Sequence, residues 1–96
     1  MLQEITIKSN AEESIKPLIE SAIQNQLKTL HHGIKRTKER ISEFEKKLGM
    51  SSEEFEKRFQ ENKVEETLDT IDWNMELTAL RLLKNKFDCL DSAELI

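Results

Sequence analysis

Leu27-Lys28-Thr29-Leu30-His31-His32-Gly33-Ile34-Lys35-Arg36-Thr37-Lys38-Glu39-Arg40-Ile41-Ser42-Glu43-Phe44-Glu45-Lys46-Lys47-Leu48 is the stretch on which the reading of this chain turns. Leu27, Leu30, Ile34, Thr37, Ile41, Phe44 and Leu48 recur at alternating spacings of three and four, a heptad pattern with Thr37 as its one polar member. Lys35, Arg36, Lys38, Glu39, Arg40, Glu43 and Glu45 fill the intervening positions and form a solvated face. Ile19 and Ile23 continue the stripe backwards, so the spacing predicts one helix over 14–48. Such a helix is roughly 50 Å long at 1.5 Å per residue and needs another helix alongside it. Gly33, inside it, marks a bend or a close helix contact.

Gly49 reads as the residue just past the helix end. Ser51 with Glu54 forms a capping box for a second helix over 52–61, with Met50 placed to staple onto Phe55. Phe55 and Phe59, one turn apart, read as core. Asn62-Lys63 is a break, and Thr67 or Asp69 caps a third helix over 67–90. That helix is apolar on two faces. One stripe is Trp73, Leu77, Leu80, Phe87 and Leu90; the other is Leu68, Ile71, Met75, Ala79 and Leu82. One can pack on the long helix, which leaves the other for a partner.

Before the long helix, Glu4-Ile5-Thr6-Ile7-Lys8 alternates polar and β-branched residues, a short strand or tail over 1–9. No second strand is legible, so this one is expected to pair between chains or join a partner's sheet. Asn10 and Ser14 both offer a helix cap. The first would put Pro17 inside the helix and the second would put it in the first turn.

Composition agrees with this all-α, single-domain reading. In 96 residues there are two glycines, one proline and 35% charged side chains. A chain so short and polar builds a thin core, so it is expected to be at least a dimer. Ile5, Ile7, Leu27, Leu30, Ile34, Ile41 and Phe44 are the expected interface.

The charge is uneven. Residues 31–50 carry six Lys/Arg against three Glu, and residues 51–96 carry six against twelve Asp/Glu. An acidic C-terminal half argues against a broad nucleic-acid surface and suits a basic protein partner. No apolar run reaches membrane-spanning length and no signal-like N-terminus is present, which points to the cytoplasm.

No catalytic, metal or cofactor constellation emerges. His31 and His32 point about 100° apart on a helix and cannot share a metal. Cys89, the only cysteine, has acidic sequence neighbours in Asp88 and Asp91 and reads as a small buried apolar residue. A strand followed by a helix resembles ribbon-helix-helix DNA-binding regulators. Here, however, Glu4 would meet phosphate, and the chain runs from Ile19 to Leu30 without the break that fold requires.

The segment Lys47-Leu48-Gly49-Met50-Ser51-Ser52-Glu53-Glu54-Phe55, with Phe59, an acidic stretch and then Asp72-Trp73, resembles a group of short prokaryotic helical proteins. Many of these look like the antitoxin halves of toxin–antitoxin pairs. The resemblance spans most of the chain but rests on a capping turn and a tryptophan. Members often carry a glycine where this chain has Asn62-Lys63-Val64. The resemblance implies a non-catalytic protein that masks a small basic toxin. Trp73, Leu77 and Leu80 would then be anchors in a hydrophobic groove, and Asp69, Asp72 and Glu76, with Glu65 and Glu66, would face the toxin. The competing expectations are a ribbon-helix-helix-like DNA-binding regulator and a structural coiled-coil module with no toxin partner.

Overall fold

A computed structural model describes residues 3–5 and 12–95. Its architecture is helical: α1 (Glu12–Leu48), α2 (Ser52–Gln60) and α3 (Leu68–Asp91). Two three-residue segments, β1 (Gln3–Ile5) and β2 (Ala93–Leu95), lie parallel with Ile5 opposite Leu95. The N-terminal segment thus finds its neighbour in the same chain, which the sequence reading did not foresee because Ala93–Leu95 carries no strand pattern of its own. Ile7, the other expected interface residue of that segment, lies outside the described residues.

The ends of the helices follow from their caps. Past Leu48, Gly49 takes φ 65°, and the Met50 amide donates to the Glu45 carbonyl at 3.2 Å, closing a Schellman turn. Ser51 Oγ then accepts from the Glu54 amide at 3.2 Å. The expected capping box is only half formed, because Glu54 gives its carboxylate to Arg58 Nε at 2.7 Å. α2 ends as α1 does, with Asn62 at φ 55° in the glycine's place and the Lys63 amide on the Arg58 carbonyl at 2.8 Å. Asparagine tolerates this left-handed geometry, which settles the shape of the Asn62-Lys63-Val64 connection. Thr67 caps α3 in a reciprocal box with Thr70. α1 begins at Glu12, two residues before the expected start, so Pro17 lies inside the helix and cannot donate to the residue four before it.

α3 folds back antiparallel on α1 in a regular register. Lys47 pairs with Asp69, Arg40 with Glu76, and Gly33 lies under Leu83. Each step is seven residues on both helices, so the heptad stripe of α1 is met by a complementary stripe within the same chain. Leu27, Leu30, Thr37 and Ile41 are buried there, and Ile34 and Phe44 are half-buried. Of the residues expected at an interface between copies, Leu27, Leu30 and Ile41 are thus buried within the single chain, while Ile34 and Phe44 keep part of their surface open.

Phe55, Trp73, Ile41 and Leu77 form the core at the closed end, with Phe44, Leu48, Met50, Phe59, Val64 and Leu80 around them. Trp73 stacks on Phe55 at 4.0 Å between ring centroids, 3° from parallel, and on Phe44 at 6.1 Å.

Candidate protein-binding surface

The packing of α3 on α1 decides which stripe of α3 stays in water. Trp73 is 0% exposed and Leu77 is buried, while Leu80 is half-buried against the core. These three were expected to anchor a partner's groove. They are instead the inward stripe, and none of them stands at an open surface. Leu68 is 82% exposed, Met75 62%, Leu82 57% and Ile71 42%, with Ala79 half-buried among them. The two-stripe division therefore matches the sequence reading, and the assignment of the stripes is reversed.

Three forces turn α3 this way. The indole of Trp73 needs an acceptor once buried, and Ser52 Oγ supplies it at 3.3 Å. The same hydroxyl donates to Glu45 Oε2 at 3.0 Å, and that oxygen also accepts the Ser52 amide at 2.9 Å. One part-buried relay thus ties all three helices together. Phe55 and Phe59 cover the inner stripe from α2. Finally, the basic positions Arg40 and Lys47 of α1 hold Glu76 at 3.0 Å and Asp69 at 2.7 Å.

Those ion pairs change the electrostatics expected of the surface. Asp69 and Glu76 are already engaged by α1 and are not free to meet a partner. Asp72 is exposed and has no ion-pair partner among the described residues. Glu65 and Glu66 are exposed just before α3. Arg81, toward the other flank, pairs with Glu56 of α2.

Beside the outer stripe, Arg40, Glu43, Phe44, Asp72, Met75 and Glu76 border a shallow depression between α1 and α3. Met75 therefore sits on the rim of a concavity with Phe44 alongside. Apolar anchors beside a dent, edged by charge, are the ordinary make-up of a protein contact.

Cys89 is exposed, contrary to the expectation of burial. It stands on the outer side of α3, seven residues beyond Leu82. His31 and His32 are exposed on α1, their rings 6.3 Å apart. Among the described residues, no group of three or more His, Cys, Asp or Glu side chains is placed to hold a metal ion. No helix among them is long and apolar enough to cross a membrane. No protein family, curated protein or solved structure matches the chain.

Proposed function

We propose that this chain is a non-catalytic protein-binding module whose contact surface is the outer face of α3. One observation carries the reading. Leu68, Ile71, Met75 and Leu82 stay open to water on a helix whose other stripe gives Trp73, Leu77 and Leu80 to the core. Apolar side chains aligned along one helix face mark an interaction site more often than a neutral surface. The likeness of the Lys47–Phe55 turn and the Asp72-Trp73 helix to antitoxin-like proteins supports a specific version, in which a small basic toxin is masked. Glu65, Glu66 and Asp72 supply the acidic edge such a toxin would meet.

Co-expression tests it. The product of the adjacent reading frame should arrest growth alone, and this chain should restore growth. Met75→Glu should abolish the restoration while the purified variant keeps its helical circular dichroism. A harmless neighbour removes the antitoxin version. Full rescue by Met75→Glu removes the α3 face as the contact surface.

A further inference from the structure

We infer that the outer face of α3 docks a second copy of this chain, antiparallel and centred on Ala79. The inference rests on the reading of that face as a contact surface and names what covers it in the free protein.

The face has a seven-residue repeat of its own. Leu68, Met75, Leu82 and Cys89 follow one another at that spacing, and Asp72, Ala79 and Lys86 follow one another beside them. Residues seven apart lie nearly on one line along a helix. The second line therefore carries a negative charge at one end, a methyl group in the middle and a positive charge at the other end. Asp72 and Lys86 are both exposed, and neither has an ion-pair partner among the described residues. The neighbouring carboxylates Asp69 and Glu76 and the cation Arg81 are all paired within the chain.

Two such faces complement each other in one orientation. Antiparallel about Ala79, Asp72 of each copy lies opposite Lys86 of the other, and Met75 lies beside the other's Leu82. The small side chain of Ala79 lets the helices approach at the twofold axis. A parallel arrangement would set Asp72 against Asp72 and Lys86 against Lys86, which repel. The twofold contact is isologous, so it closes at a dimer and leaves no sticky face to propagate.

Light scattering and sedimentation on the full chain should show a dimer at micromolar concentration. Asp72→Lys and Lys86→Asp should each weaken association by about tenfold or more, and the double exchange should restore it. Both sites are exposed, and helical circular dichroism and melting of each variant confirm that the fold is intact. Orientation is read by oxidation. Ala79→Cys in a Cys89→Ser background should form a covalent dimer, whereas the wild type, with its Cys89 pair far apart, should not. A monomer up to about 100 µM, a dimer indifferent to both charge reversals, or ready wild-type cross-linking through Cys89 overturns the proposal. If the chain is monomeric yet Met75→Glu still abolishes growth rescue, only the second copy is lost. If it is monomeric and Met75→Glu rescues, the contact surface is lost as well.

Discussion

Trp73 Nε1 donates to Ser52 Oγ at 3.3 Å, and this one hydrogen bond couples a fully buried ring to the first turn of α2. Ser52→Ala should strand the indole N–H in the core and remove one donor from Glu45. A buried donor left without a partner costs about 1–3 kcal/mol, so urea denaturation should show a loss in that range. Trp73→Ala, which empties the stack between Phe55 and Phe44, should cost about 3–5 kcal/mol. If Trp73→Ala melts like the wild type, the core described here is wrong.

The glycines should respond in opposite directions. A methyl group on Gly33 would meet Leu83 at 3.6 Å, an ordinary contact. Gly33→Ala should therefore stabilise the protein, by up to about 1 kcal/mol from helix propensity. Gly49 holds φ 65° in open space, so Gly49→Ala should destabilise it by about 1 kcal/mol through backbone strain alone. Asn62, at φ 55°, should tolerate or gain from glycine. Thermal melts of the three variants check the set.

The two stripes of α3 should separate stability from binding. Leu77→Ala should cost about 2–5 kcal/mol. Met75→Ser and Leu82→Ser, on the outer face, should change stability by no more than about 0.5 kcal/mol. The same outer substitutions should weaken association. Equal destabilisation from both stripes would mean that α3 is rotated relative to this packing.

Acid should weaken the start of α2. Arg58 holds the Glu54 carboxyl below its ordinary value, first through its hydrogen bond and then through its charge. A carboxyl lowered in the folded state contributes stability above its unfolded pKa and loses it as pH falls through the folded one. Melting temperature should thus decline as pH drops below the ordinary carboxylate range, and Glu54→Gln should remove part of that slope. Because Glu54 lies at the surface, salt should shrink the difference.

The helices were legible in the sequence because their signals are local. Gly49, Ser51 and Thr67 mark ends through hydrogen bonds that span a few residues, and the Leu27–Leu48 repeat declares its period without help from the rest of the chain. The fate of the faces was not local. Both stripes of α3 are rich in leucine, and composition cannot say which one turns inward. The choice depends on Ser52 standing where it can accept the Trp73 proton, and on Arg40 and Lys47 falling opposite Glu76 and Asp69. Those are relations between residues 21 to 36 positions apart. Their seven-residue register was present in the sequence and would have paired α1 with α3 had charge been matched across the turn. Cys89 faces solvent because it continues the Leu68–Met75–Leu82 stripe, and so its fate followed that of the stripe.

The constant register of the hairpin also orders its assembly in time. Lys47 and Asp69 are 22 residues apart along the chain, whereas Gly33 and Leu83 are 50 apart. Closing the wider loop first would cost about 0.7 kcal/mol more chain entropy than closing the narrower one. The aromatic cluster stands at the cheap end. Contacts should therefore nucleate around Trp73 and Phe55 and run like a zipper toward Phe87, each closed rung shortening the loop for the next. Opening should run the other way, so amide protons near Phe44 should exchange with solvent more slowly than those near Gln24. The molecule has a hinge end, set by where its short helix was placed, and a far end where β1 meets β2.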